Sequence, residues 1–128
     1  MNLQVLVYMR DPEFGRMVKT ALSGTGAVVF VARTVAEALD VVCQRGRKLT
    51  FALMDFDGGC RGMTLLSAVH TCYEDLPIAV TTSKDADHVS AVAYANGARR
   101  CLAKPPEAST LAGAIAELQV AGSRLLAA

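Results

Sequence analysis

The chain has 128 residues, of which 52% are hydrophobic and 20% charged, and this size and composition indicate one globular domain over residues 1–128. Its formal net charge of +1 excludes an overall field that attracts nucleic acid or anionic membranes, so we expect no direct nucleic-acid binding. Because no apolar stretch has the length of a membrane span and the N-terminus lacks the features of a secretion signal, we expect a cytoplasmic location and no membrane partner.

The chain contains four cysteines, Cys43, Cys60, Cys72 and Cys101. They are far apart in sequence, they form no Cys-x-x-Cys pair, and neither histidine stands at the spacing of a metal ligand. This pattern is typical of reduced, mostly buried thiols and argues against a zinc site or a disulfide framework.

The first two elements are a strand and an amphipathic helix. Residues 3–8 form a short apolar run, and Asp11 and Pro12 are then typical of a helix N-cap and a first helical position. The apolar residues that follow have the spacing of one helix face: Phe14, Met17, Val18, Ala21 and Leu22. Gly24 and Gly26 end this helix.

The same alternation continues along the rest of the chain. Further strands are predicted at residues 27–31, 49–54, 78–82 and 101–103. Further helices are predicted from the capping box Thr34 to Glu37, over residues 63–73 with Leu65, Leu66, Val69 and Cys72 facing inward, from about residue 85 to Gly97, and from about residue 109.

Five strand–helix units with continuously apolar strands predict a parallel sheet covered by helices on both faces. Right-handed crossovers then favour a doubly wound, flavodoxin-like (βα)5 sandwich. Ligands and chemistry in such sheets gather at the carboxyl ends of the strands, near the point where the strand order reverses. Asp55 follows the third predicted strand directly and is therefore placed at this edge.

Three polar side chains follow predicted strands at that edge: Asp55 after the third, Thr82 after the fourth and Lys104 after the fifth. Pro105 fixes the backbone after the lysine. A carboxylate, a hydroxyl and an ammonium group together suit phosphoryl transfer to the carboxylate, with the hydroxyl bonding a phosphoryl oxygen and the lysine offsetting its charge.

The segments "LVYMRDPEF", "LMDFDGG", "VTTS" and "NGARRCLAKP" resemble the CheY-like receiver domain of bacterial two-component response regulators, along nearly the whole chain. The resemblance implies a phosphorelay signalling module and not an enzyme. It also implies that Asp55 accepts a phosphoryl group from a histidine kinase, that Thr82 follows this group and that Lys104 contacts it.

One part of the receiver pattern is missing. Receivers usually end the first strand with two acidic residues that hold magnesium, and this chain has Met9 and Arg10 there, with only Asp11 acidic. A site made of Asp11 and Asp55 is expected to bind magnesium weakly or not at all. Arg10 either forms an ion pair with Asp55 or points to solvent. The pattern therefore favours a degenerate, or pseudo-receiver, site that works through protein contacts.

The fourth helix, fifth strand and fifth helix form the surface that relatives use to dimerise or to contact partners. Here Cys101 replaces the usual aromatic residue, and Tyr94, Arg99 and Arg100 provide residue types common at interface hot spots. We expect this surface to mediate a homodimer contact or binding to a kinase or another signalling protein. Because the last helix runs on without an obvious stop, a fused output domain is also expected.

Two alternatives from other classes stay open. "DFDGG" resembles the first motif of haloacid-dehalogenase-type phosphatases, with Asp55 as nucleophile and Asp57 as general acid, although the motif lies late in the chain and no acidic metal-binding pair follows Lys104. A flavin or nucleotide binder would need a phosphate-cradling loop, and the first turn, "MRDPEF", has no glycine-rich run.

Overall fold

The structure is a computed structural model that describes residues 3–56, 60–82, 86–104 and 106–127. The strands are β1 (Gln4–Tyr8), β2 (Val28–Ala32), β3 (Phe51–Phe56), β4 (Ile78–Thr82) and β5 (Arg100–Ala103). The helices are α1 (Pro12–Leu22), α2 (Val35–Arg45), α3 (Cys60–Cys72), α4 (Ala86–Ala95) and α5 (Ala108–Ala127), with a short 3₁₀ turn at Gly46–Lys48.

All strand pairs are parallel, and the strand order is β2-β1-β3-β4-β5. The order reverses between β1 and β3, which is the switch point of a doubly wound sheet. The predicted flavodoxin-like (βα)5 fold is confirmed.

The sheet separates two cores because successive strand side chains point to opposite faces. One core lies between the sheet and α2, α3 and α4, and it includes Leu6, Met54 and Leu65. The other lies between the sheet and α1 and α5, and it includes Val7, Leu53 and Leu118. None of the helices in the described part of the chain has the length and apolarity needed to cross a membrane.

The predicted caps position the first two helices. Asp11 Oδ1 accepts a hydrogen bond from the Glu13 N–H at 3.0 Å, and Thr34 Oγ1 accepts one from the Glu37 N–H at 3.1 Å. In a standard capping box the Glu37 side chain would accept from the N–H of Thr34. Here Glu37 Oε2 accepts instead from the N–H of Arg33 at 3.0 Å. Both helices thus begin at the carboxyl edge of the sheet.

Two expectations about the third strand and the cysteines are wrong. The third strand extends to Phe56, so Asp55 lies inside it, because backbone pairing with β4 continues beyond the apolar run. Cys43 and Cys72 are exposed and Cys101 is half-buried, so these thiols are not mostly buried. After Val69 the next inward residue is Tyr73, directly after α3 and four residues on, which leaves Cys72 facing outward.

Candidate functional site

Three side chains meet at the carboxyl edge of the sheet: Asp55 of β3, Thr81 of β4 and Lys104, which directly follows β5. Asp55 and Thr81 are paired in register, so both point to the face that carries α1 and α5. The backbone N–H of Lys104 donates to the carbonyl of Thr82 at 3.0 Å, which extends the β4–β5 pairing by one residue. This hydrogen bond fixes the backbone of Lys104, from which its side chain reaches Asp55.

The Asp55 carboxylate is fully buried and contacted at both oxygens. Lys104 Nζ lies 2.8 Å from Oδ1 and 3.0 Å from Oδ2, and Thr81 Oγ1 donates to Oδ1 at 2.8 Å. The exposed fraction is 0% for the Asp55 side chain and 13% for the Lys104 side chain. A buried carboxylate needs such partners, because an unpaired charge in a low-dielectric interior is strongly unfavourable.

Asp55 and Lys104, predicted from sequence to act together, are thus in direct contact. Thr82 is also buried, but it pairs with Phe56 and so lies on the opposite face of the sheet from Asp55. Its predicted role of following a phosphoryl group stays a prediction. The hydroxyl bonded to Asp55 belongs to Thr81, which sequence reasoning missed. Only the β3–β4 register distinguishes the two threonines.

Met9 is part of the core and not of an open site. It is 5% exposed and packs in the cluster beneath α1 and α5. Its thioether lies over Gly15 of α1, where an added Cβ would overlap Sδ and come within 2.8 Å of Cε. Gly15 is therefore the position that allows Met9 to turn inward.

In the described part of the chain, neither Arg10 nor Asp11 forms an ion pair or hydrogen bond with Asp55: Arg10 is exposed, and Asp11 caps a helix. Arg10 is exposed, and the ion pairs of the described residues join Asp55 to Lys104 and not to Arg10. Of the two roles left open for Arg10, the ion pair with Asp55 is therefore wrong. Asp11 Oδ1 caps α1, as its position before Pro12 predicts.

The weak or absent magnesium site expected at Asp11 and Asp55 stays a prediction, and the chemistry of the described residues supports it. Magnesium prefers several hard oxygen ligands in near-octahedral geometry. Here the two oxygens of Asp55 already contact an ammonium group, Asp11 caps a helix, and Met9 and Arg10 supply no oxygen. In the part of the chain that the structure describes, no group of three acidic, histidine or cysteine side chains is arranged to hold a metal ion.

The predicted partner surface contains a small charge cluster. Arg100 Nε donates to Glu117 Oε2 of α5 at 2.7 Å, and Arg99 Nε lies 4.0 Å from the other oxygen of Glu117. The hydrogen bond to Glu117 raises the pKa of Arg100, so this guanidinium remains charged. Tyr94 is 46% exposed, and its hydroxyl oxygen accepts a hydrogen bond from the Cys101 N–H at 3.2 Å. Tyr94, Arg99 and Arg100 thus lie close together, and their role as a partner surface stays a prediction.

The sequence matches the family model of the response regulator receiver domain over residues 5–116. The chain belongs to this receiver family. A comparison with curated protein sequences gave no significant match.

Solved structures share the receiver fold at low sequence identity. A response regulator receiver domain protein from Clostridium thermocellum has 20% identity and a TM-score of 0.83, with 96% of this chain and 98% of that chain covered. The signal receiver domain of an HD domain-containing protein from Pseudomonas fluorescens Pf-5 has 19% identity, a TM-score of 0.84 and coverages of 97% and 99%. NtrX from Brucella abortus, solved in complex with ADP, has 21% identity and a TM-score of 0.78, and the match covers 97% of this chain but 28% of that longer chain.

The receiver assignment confirms the resemblance seen in the sequence and places the chain in two-component signal transduction. Receiver domains generally act as signalling modules that contact other proteins and not as enzymes. The phosphatase alternative is not favoured by these matches. Its second catalytic residue, Asp57, lies outside the described residues, as do Gly58, Gly59 and Pro105.

Proposed function

We propose that this receiver works without phosphorylation of Asp55 and signals through protein contacts. The observation that carries the proposal is the state of the Asp55 carboxylate, which is buried, paired with Lys104 at both oxygens and bonded to Thr81. A nucleophilic carboxylate must present a lone pair to the phosphorus atom. A carboxylate held by an ammonium group and a hydroxyl is a poor nucleophile.

The positions of the usual metal ligands support the same conclusion. Phosphoryl transfer relies on a cation that neutralises the developing charge on the phosphoryl oxygens. Met9 is packed over Gly15, Arg10 is exposed and Asp11 caps α1. Among the described residues, Asp55 therefore lacks acidic neighbours that could coordinate magnesium together with it.

The roles that the receiver family implies are carried over as part of this proposal. Asp55 occupies the phosphoacceptor position, Thr82 the position that follows a phosphoryl group, and Lys104 the position that contacts it. In this chain Lys104 itself supplies charge balance to Asp55, which a bound metal ion would otherwise supply. The pocket is then fixed in one state, and that state is read by a partner.

The proposed output surface is the patch of Tyr94, Arg99 and Arg100. It is exposed and rich in residue types that dominate interface energies. Its occupant is a second copy of the chain, a histidine kinase or another signalling protein. The proposal treats residues 1–128 as one cytoplasmic domain, with an output domain fused to it in a longer polypeptide.

Intact-mass measurement after incubation with magnesium and acetyl phosphate tests the proposal. We expect no phosphoryl adduct on the wild-type chain, while a receiver that retains the acidic pair becomes modified in parallel. Asp55→Asn is the matched control, because it preserves shape and removes the acceptor. A wild-type adduct that is lost in Asp55→Asn would show a working phosphoacceptor and end the proposal.

A further inference from the structure

Besides the Asp55 site, the carboxyl edge of the sheet carries a second cleft, whose lining combines apolar surface with two arginines. It has a volume of about 490 Å³ and is lined by Tyr8, Arg10, Arg33, Thr34, Val35, Ala36 and Thr64. This volume is within the range of small-molecule sites, roughly 300–1,000 Å³. The lining residues come from the ends of β1 and β2, the start of α2 and the first half of α3.

The two cationic residues of this cleft are available to an anion. Arg10 and Arg33 are both exposed, and neither forms an ion pair with any residue that the structure describes. The nearby acidic residue Glu37 turns its Oε2 to the backbone N–H of Arg33 and not to a guanidinium. Among the described residues no carboxylate forms an ion pair with either guanidinium, so the two like charges make the local potential more positive, offset in part by the carboxylate of Glu37.

The other residues that line the cleft suit a ligand with both a charged and an uncharged part. The first turn of α2 contributes Val35 and Ala36, whose N–H groups belong to the unpaired donors of a helix start. Thr34, whose Oγ1 already accepts from the Glu37 N–H, and Thr64 are the polar uncharged residues of the lining, and the buried Tyr8 adds an aromatic one. Arginine is the side chain that best matches the bidentate geometry of phosphate.

We propose that this cleft binds a phosphate group, either free or as part of a small phosphorylated molecule, between Arg10 and Arg33. The cleft needs no glycine-rich loop, because guanidinium groups replace the backbone cradle. Asp55 does not line the cleft, so the proposal is independent of whether Asp55 is phosphorylated.

An amide NMR titration of the isotope-labelled chain tests this site with inorganic phosphate, adenosine monophosphate and adenosine. We expect both phosphate probes, and not adenosine, to shift the amide signals of Val35, Ala36 and Thr64. Tighter binding of adenosine monophosphate than of phosphate identifies a phosphate ester as the ligand class, and equal affinity identifies free phosphate.

Charge-removing variants make the test specific. Arg10→Gln and Arg33→Gln are each expected to weaken binding by roughly tenfold or more, the effect of losing one charge-assisted contact. Arg47→Gln is the matched control, since Arg47 is exposed near the opposite edge of the sheet. The proposal is overturned by an absence of shifts at the cleft, by unchanged affinity in the double Arg10→Gln, Arg33→Gln variant, or by an equal loss in Arg47→Gln.

Discussion

Thr81 donates its hydroxyl hydrogen to Asp55 Oδ1 at 2.8 Å, from the neighbouring strand, and the exposed fractions of the two residues are 2% and 0%. Because β3 and β4 pair in register at these two residues, the hydrogen bond is built into the sheet and does not depend on a loop. Together with Lys104, it satisfies a carboxylate that no solvent reaches.

The first prediction concerns this hydroxyl. Thr81→Val keeps the shape of the side chain and removes the donor, so we expect a loss of about 1–3 kcal/mol in the free energy of unfolding. Thr81→Ser keeps the donor and is expected to retain most of the stability. Urea unfolding followed by circular dichroism measures both, and equal stability of Thr81→Val and wild type would contradict the prediction.

The second prediction concerns the buried ion pair. Lys104→Met leaves the Asp55 charge without its main partner, and we expect a destabilisation of about 3–5 kcal/mol. Asp55→Asn combined with Lys104→Met removes both charges and should recover much of this loss. Urea unfolding of the two single variants and the double variant forms a mutant cycle, and additive effects would show that the two side chains are not coupled.

The third prediction separates Met9 from Arg10, although both stand where receivers carry acidic residues. Met9→Asp places a carboxylate in the core above Gly15, so we expect a loss of several kcal/mol, on the order of 3 or more. Arg10→Asp changes an exposed side chain and is expected to alter stability by about 0.5 kcal/mol or less. Thermal unfolding distinguishes the two. Similar losses would mean that Met9 is not packed as described.

The fourth prediction concerns magnesium. Restoring acidic ligands with Met9→Asp and Arg10→Asp should create magnesium binding that the wild-type chain lacks, with slow modification of Asp55 by acetyl phosphate. Arg10→Asp alone is the more stable background and should give the first gain in affinity. NMR shifts measure binding. Saturation of the wild-type chain at or below about millimolar magnesium would contradict the expectation.

The periodicity of apolar residues predicted the fold, because five buried strands alternating with amphipathic helices allow few arrangements. The same strand assignment placed Asp55 and Lys104 at the carboxyl edge of the sheet. It could not choose between Thr81 and Thr82, since that choice depends on the register of β3 against β4, and a shift of one residue exchanges the two faces of a strand.

Arg10 shows a second limit of sequence reasoning. Sequence spacing places it beside the Asp55 edge, but a long side chain has several directions open to it, and its contacts depend on which neighbours leave space. Lys104 already fills the position over Asp55, while the cleft beside Arg33 is open. The described residues Arg10 and Asp55 therefore form no ion pair, although their opposite charges alone favour one.

The last prediction tests the output surface of Tyr94, Arg99 and Arg100. The two arginines share Glu117 on an exposed surface, where such pairs contribute about 1 kcal/mol or less to stability. Reversing their charge should therefore leave the fold intact, which makes a change in association interpretable.

We expect the wild-type chain to self-associate and the Arg99→Glu, Arg100→Glu variant to weaken that association by at least roughly tenfold, the effect of losing a hot-spot residue. Adding Glu117→Arg restores opposite charges within the cluster but keeps the outward charge reversed. Analytical ultracentrifugation of the three proteins distinguishes the causes. If the triple variant stays weak, the arginines contact the partner directly, and if it regains wild-type association, they act only by ordering this surface. Unchanged association in the double variant would exclude this surface as the site of self-association.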